Sequence, residues 1–418
     1  MFCNSASTDT VLLICAFLAF GSLQASCRCI NNKNHSKPGG CIKVDPDVTR
    51  NVTQLIKSRG FPVETYEVIT EDGFILGVQR IPYGKKGVKT NGSKPVVFLQ
   101  HGLLADATNW VTEWEDDSLG YILADKGFDV WLGNIRGNTY SRKHVRYTPA
   151  DRGFWDWSFE EMADYDIPAM INFALKKSGQ EQLYYIGHSQ GTLVGFLSFS
   201  EHPEVAKKVK QFFALAPIYH LSHVTSFVKD AALTLGPVQE LLLPFGPTQF
   251  LPGFLLKQLT KLGFCGGKYS EKLCYDAAEL IFGFDDKNQN MTRVPVFASH
   301  WPSGTSFKNI IHFGQVIYDN QTRRFNYGKW GNRRHYHQDE PPAYNVSKMT
   351  TPTAMFVGQR DSLSVEADVL QLKEEIQKVV TLYRVIPEWN HIDFVLGMDA
   401  AKALYSQIIK IIESGLDL

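Results

Sequence analysis

Residues 187–191 read Gly187-His188-Ser189-Gln190-Gly191, a G-x-S-x-G pattern that sets a hydroxyl between two residues without side chains. A serine attacks a carbonyl only if its hydroxyl projects freely and a base accepts its proton. The glycines meet the first need by letting the chain reverse closely around Ser189. The second calls for a histidine, and for a carboxylate that holds its tautomer. Where this pattern is catalytic, the chain order is serine, acid, histidine. Of twelve histidines, His391 is the candidate base, because Glu388-Trp389-Asn390-His391-Ile392-Asp393-Phe394 reads as a turn between the last expected strand and a C-terminal helix. His300, His312, His335 and His337 fall in a region of different pattern, and His188 is expected to point away from the site. Asp361, in Gly358-Gln359-Arg360-Asp361, follows an expected strand and is the candidate acid. Glu366 and Asp368 are rivals that read better as first-turn charges of the next helix.

Acyl transfer also needs two N–H groups aimed at the developing oxyanion. One belongs to the residue after the nucleophile, Gln190, at the start of a helix. The other is expected from Leu103, in the loop His101-Gly102-Leu103-Leu104 that follows an apolar strand.

The surrounding pattern supplies elements to position these groups. Residues 64–70 and 74–81, joined across Glu71-Asp72-Gly73, alternate as an antiparallel hairpin. Residues 95–100 and 128–132 are short apolar runs, as expected of strands buried on both faces. Ser158 with Glu161 forms a capping box opening a helix that runs to Lys176 and Lys177. A strand at 183–186, a helix at 190–200 and a strand at 211–215 continue the alternation, which resumes at 353–358, 367–379, 382–385 and 400–412. This is an α/β pattern, a mostly parallel sheet with helices on both faces. From about 219 to 346 it gives way to amphipathic pieces, including 238–243, 254–264 and 277–284. The expected division is therefore a core of 26–218 and 347–418 with a helical cap, 219–346, inserted.

With 418 residues and 44% hydrophobic content the chain can bury a large core, and 43 basic against 43 acidic residues give no nucleic-acid or polybasic membrane footprint. Residues 11–20 form an apolar run of signal-peptide length, too short to span a bilayer, so 1–25 is expected to be a leader. Six sequons, at Asn34, Asn51, Asn91, Asn290, Asn320 and Asn345, agree with a secretory route. Cys265 and Cys274 bracket a Gly-rich loop and are expected to pair in an oxidising compartment, whereas Cys27, Cys29 and Cys41 leave their pairing open. The cysteine spacing lacks a companion pair at zinc-ligand distance, so no metal is expected.

Taken together, Leu99-Gln100-His101-Gly102-Leu103-Leu104-Ala105, Thr108-Asn109-Trp110, Leu132-Gly133-Asn134, Arg136-Gly137-Asn138, the serine motif with Thr192, and Asn390-His391-Ile392-Asp393-Phe394 resemble the gastric and lysosomal acid lipases from about Asp47 to the C-terminus. The resemblance implies an α/β-hydrolase fold with a helical cap containing a lid, no cofactor, and hydrolysis of triacylglycerols or cholesteryl esters at a lipid–water interface by a secreted or lysosomal protein. It places Ser189, Asp361 and His391 as the triad, Leu103 and Gln190 as oxyanion donors, and Cys265–Cys274 as the cap disulfide. No obligate protein partner is implied. Two departures stand out: Phe282 occupies the place of a further cysteine, and Ser364-Val365 replaces the usual Ala-Asp after the acid. In the cap, Leu255, Leu259 and Leu262 share one helical face and Lys257 and Lys261 another, a pattern that fits either a lid or a face packing the cap onto the core, since periodicity does not separate the two. Two other readings are a hydrolase of short soluble esters and a non-catalytic lipid-binding or storage relative; an intact serine, acid and histidine set weighs against the second.

Overall fold

The computed structural model describes residues 45–87, 94–225, 227–236, 239–250 and 287–415. The leader at 1–25, Cys27, Cys29, Cys41, the Cys265–Cys274 pair, Phe282, the sequons at Asn34 and Asn91, and the expected lid at 254–264 lie outside these residues. The described residues make one compact unit.

Among the described residues nine strands form the main sheet: β1 (Glu64–Ile69), β2 (Phe74–Ile81), β3 (Val96–Gln100), β4 (Asp129–Gly133), β5 (Lys143–His144), β6 (Leu183–His188), β7 (Val209–Leu215), β10 (Thr353–Gly358) and β11 (Val380–Ile386). Their order is β1-β2-β4-β3-β6-β7-β10-β11, with β5 beside β2. The β1–β2 hairpin is antiparallel, β2 meets β4 antiparallel, and every neighbour from β4 to β11 is parallel. β8 (Gln249–Phe250) and β9 (Thr305–Ser306) pair separately. Alternate residues of the central strands feed two cores. Phe98, Trp131, Tyr185 and Phe212 lie on one face, and Leu99, Leu132, Ile186 and Phe213 on the other. This two-sided burial is why those strands read as unbroken apolar runs.

The helix expected from Ser158 onward differs in detail. Its capping box is present, but residues Met162–Asp166 widen into a π-helical turn before the regular helix Ile167–Ser178. The widened turn carries Asp166 into the core against Arg136, whose Nε and Nη2 donate to Asp166 at 2.9 and 2.7 Å. Local periodicity does not announce a turn widened for a distant ion pair.

Among the described residues, those between β7 and β10 add no strand to the main sheet. This inserted segment is anchored by Arg293, which is fully buried. Its Nη1 lies 2.8 Å from Asp45 and 2.9 Å from Asp47, its Nε donates to the Thr112 carbonyl at 3.0 Å, and its guanidinium stacks over Trp114. Next in the chain to Thr112, Glu113 is 2% exposed. Burial pushes its carboxyl up from 4.5 to about 7, opposed by Arg293 and reinforced by Asp117. Below pH 4.5 the folded and unfolded chains both hold this proton. Between about 4.5 and 7 the unfolded chain releases it while the folded one retains it, so stability falls as pH rises, by roughly 3 kcal/mol across the window. Glu113→Gln is expected to remove that slope, raising the melting temperature at pH 7.5 much more than at pH 4.5. An equal shift at both pH values in calorimetry would rule out this account.

Candidate active site

The expected triad and oxyanion residues follow the carboxyl ends of parallel strands, where α/β sheets place their chemistry. Ser189 follows β6 and precedes the helix Gln190–Glu201. Its backbone stands at φ 55°, ψ −123°, a strained conformation for a residue with a side chain. The tightness of the turn explains its glycines. A β-carbon at Gly187 would lie 2.6 Å from the Gly191 carbonyl oxygen, and one at Gly191 only 2.4 Å from that of Gln100. The turn is closed by Thr192, whose N–H and hydroxyl both donate to the Ser189 carbonyl, at 2.8 and 2.6 Å.

Asp361 lies three residues past β10 and His391 five past β11. The His391 Nδ1–H faces both Asp361 oxygens, at 2.9 Å to Oδ2 and 3.1 Å to Oδ1. Asp361 Oδ1 also accepts from the Leu363 and Ser364 amides at 2.9 and 2.8 Å. Burial alone would raise the Asp361 carboxyl, but attraction and hydrogen bonding from His391, with the two amides, outweigh it and hold the pKa below 3.8. Asp361 therefore stays ionised into acid conditions. The rivals fall away: Glu366 and Asp368 lie in the first turn of the helix Glu366–Glu375, and Asp368 is bound to His223.

His188 departs from expectation. It packs against His391, ring centroids 5.1 Å apart, and its Nε2–H donates to the His391 carbonyl at 2.8 Å. Burial, followed by the neighbouring His391, pushes the His188 imidazole down to about 3, so it remains a neutral donor. The residue beside the nucleophile thus ties the Ser189 turn to the His391 loop.

On the opposite side, a β-carbon at Gly102 would stand 3.0 Å from the Ser189 Cβ, which places the loop of Leu103 directly beside the serine. Gln190 begins its helix, so its N–H is one of the four that a helix leaves without an internal partner. Among the described residues no group of three or more His, Cys, Asp or Glu is placed to hold a metal ion.

A family profile described as a partial alpha/beta-hydrolase lipase region matches residues 52–114, and one described as the alpha/beta hydrolase fold matches 95–245. Lysosomal acid lipase/cholesteryl ester hydrolase of Homo sapiens is 46% identical over 381 residues, covering 90% of this chain and 94% of that protein. The chain belongs to the acid lipase family. Gastric triacylglycerol lipase of Homo sapiens is 44% identical over 371 residues, covering 88% and 92% of the two chains. The acid lipase family is one of carboxylic ester hydrolases built on the α/β-hydrolase fold, and the strand order above is this chain's version of it.

Within this member of the family, sequence reasoning overlooked Asp393. It is fully buried, accepting from the Asn390 N–H at 2.7 Å, while Asn390 Oδ1 accepts from the Ile392 and Asp393 amides at 3.0 and 3.3 Å. The four-residue turn is locked around His391 by its own ends. Asp393 also accepts from Asn288 and Gln289 of the inserted segment, at 3.1 and 3.0 Å. The signal was present in the Asn-His-Ile-Asp spacing, which is that of a side-chain-closed turn. Where the acid lipases usually carry Ala-Asp, Ser364 here donates its hydroxyl to the Pro217 carbonyl at 2.7 Å, and Val365 opens the next helix without a side-chain cap. Of the four sequons within the described residues, Asn51, Asn320 and Asn345 are exposed and Asn290 is half-buried.

Proposed function

We propose that this chain hydrolyses carboxylic esters of neutral lipids, triacylglycerols or cholesteryl esters, through an acyl-enzyme on Ser189. The observation that carries the reading is the convergence of three strand ends: a strained serine, a buried His391–Asp361 pair, and His188 joining the two. Ser189 Oγ attacks the ester carbonyl while His391 Nε2 takes its proton. Asp361 holds the Nδ1–H tautomer and offsets the imidazolium charge. The tetrahedral oxyanion is received by the Leu103 and Gln190 N–H groups. Its collapse expels the alcohol, which leaves with the proton from His391. Water then attacks the acyl-enzyme by the same route and releases the fatty acid.

The lipid preference is supported by the relatives' names and by the lid pattern at 254–264, with 219–346 acting as the cap over a core of 26–218 and 347–418. Removal of 1–25 and glycosylation would deliver the protein to a secreted or lysosomal setting, and Cys265 with Cys274 would then pair. A pH profile of turnover on emulsified triolein, cholesteryl oleate vesicles and a soluble short-chain ester tests the assignment. Long-chain emulsified esters are expected to be hydrolysed fastest. Faster turnover of the soluble ester would favour the short-ester reading, and inactivity on the whole panel would favour the storage reading.

A further inference from the structure

The inserted segment does more than lie over the core. Around Leu103, two nearby peptide planes, Gly102–Leu103 and Leu104–Ala105, are held by hydrogen bonds from different parts of the molecule. The Gly102 carbonyl, rigidly coplanar with the Leu103 N–H, accepts from His101 Nδ1–H at 2.9 Å and from the Ala105 N–H at 3.3 Å. His101 Nε2 in turn accepts from the Asn138 side chain at 3.1 Å and from the Ile135 N–H at 3.3 Å, which fixes the tautomer. That hold comes from the core. The Leu104–Ala105 plane, one peptide beyond the next, is held from the inserted segment, where the Ser303 N–H donates to the Leu104 carbonyl at 2.6 Å. Leu104 itself sits at φ 59°, so its loop is not one that a free chain would choose. Ser303 is secured in turn. Its hydroxyl donates to Asp106 Oδ2 at 2.5 Å and accepts from the Thr139 N–H at 3.1 Å. Asp106 Oδ1 accepts from the Thr108 N–H and hydroxyl at 3.0 and 2.5 Å.

Six residues further on, the same segment reaches the second donor. Asn309 Nδ2 donates to Gln190 Oε1 at 2.8 Å and to Thr305 Oγ1 at 3.1 Å, while the Asn309 N–H is capped by Ser306 Oγ at 2.9 Å. The Gln190 amide's other end faces Met162 Sδ at 3.5 Å. Asn309 and Gln190 are 0% and 1% exposed, so this bond has no competing solvent.

We propose that Ser303 and Asn309 are positioning residues of the oxyanion hole, one holding the loop of Leu103 and the other the side chain of Gln190. The inference rests on the assignment of Leu103 and Gln190 as oxyanion donors. Oxyanion stabilisation is realised only in the tetrahedral state, so loosening a donor lowers kcat and leaves substrate affinity nearly unchanged. A packing role alone would lower stability or raise KM instead.

The test uses the full-length glycosylated protein with Ser303→Ala, Ser303→Thr and Asn309→Ala, assayed on a soluble short-chain p-nitrophenyl ester. An alkylboronic acid serves as the tetrahedral analogue. Ser303→Ala and Asn309→Ala are each expected to lower kcat about tenfold or more, with KM within about twofold and boronate affinity weakened by a similar factor. Ser303→Thr, which keeps the hydroxyl, is expected to recover most of the loss. Wild-type kcat in folded Ser303→Ala or Asn309→Ala protein, or a rise in KM alone, overturns the proposal. Should Asn309→Ala not fold, the near-isosteric Gln190→Met removes the same bond from the other side and must show the same fall; wild-type kcat there overturns it equally. Ser189→Ala separates the two layers of the argument. Turnover surviving in Ser189→Ala defeats the site assignment, whereas inactive Ser189→Ala beside unaffected Ser303 and Asn309 variants defeats only the inference.

Discussion

Ser189→Ala is expected to lower kcat for ester hydrolysis by about 10⁶ while leaving the melting temperature almost unchanged. The size follows from the mechanism: without Oγ no acyl-enzyme forms, and His391 and Asp361 have no proton to move, so the whole contribution of the triad is lost together. The absence of a stability change follows from the backbone. Alanine retains a β-carbon, so the strain at φ 55° persists. Ser189→Gly provides the complementary reading, since glycine accepts positive φ without steric cost. It is expected to be equally inactive yet more stable, by about 1 kcal/mol. Emulsion hydrolysis and thermal melts of both variants check the pair. Residual turnover above about one per cent of wild type in purified Ser189→Ala would remove Ser189 as nucleophile, because an oxyanion hole acting alone leaves far less.

The site was legible in the sequence where its parts are local. The strand-to-helix turn at Ser189, the acid just beyond β10 and the histidine just beyond β11 are each read from a short window of apolar run, glycine and turn residue. The central strands read clearly because both faces of each are buried, which leaves a run of apolar side chains and little ambiguity. Parts that depend on distant partners were not legible. Nothing near His188 indicates that it bonds the carbonyl of His391, 203 residues away in sequence. The π-turn Met162–Asp166 ends on Asp166, which meets Arg136 from a distant part of the chain. The bonds from Ser303 and Asn309 to the two sides of the proposed oxyanion hole are likewise long-range, and both residues sit in a segment whose pattern says only helix and loop. Periodicity reports which face a residue buries, not what it meets there.

Asp361→Asn carries the second large effect, a fall in kcat of about 10⁴ with the fold retained. The substitution is nearly isosteric, so its consequence lies in hydrogen-bond polarity. Oδ1 of Asp361 accepts from the Leu363 and Ser364 amides, and an asparagine must keep its carbonyl oxygen there to avoid setting donors against donors. Its Nδ2 then occupies the position of Oδ2 and faces His391 Nδ1, 2.9 Å away in the wild type. To accept from that N–H, His391 must place its own proton on Nε2, and in that tautomer it cannot take the proton of Ser189. The variant is folded, occupied by substrate and without a base. Stability supplies an independent check with a definite sign. Because the folded pKa of Asp361 lies below 3.8, its charge contributes stability that is present above pH 3.8 and is lost as the pH falls through the folded value. The variant lacks this contribution at every pH. The gap in melting temperature between wild type and variant is therefore expected to be full near neutrality and to narrow on acidification below about pH 4. A gap independent of pH would mean that the carboxylate is not held ionised by His391 and the two amides, and the role given to Asp361 would have to be withdrawn.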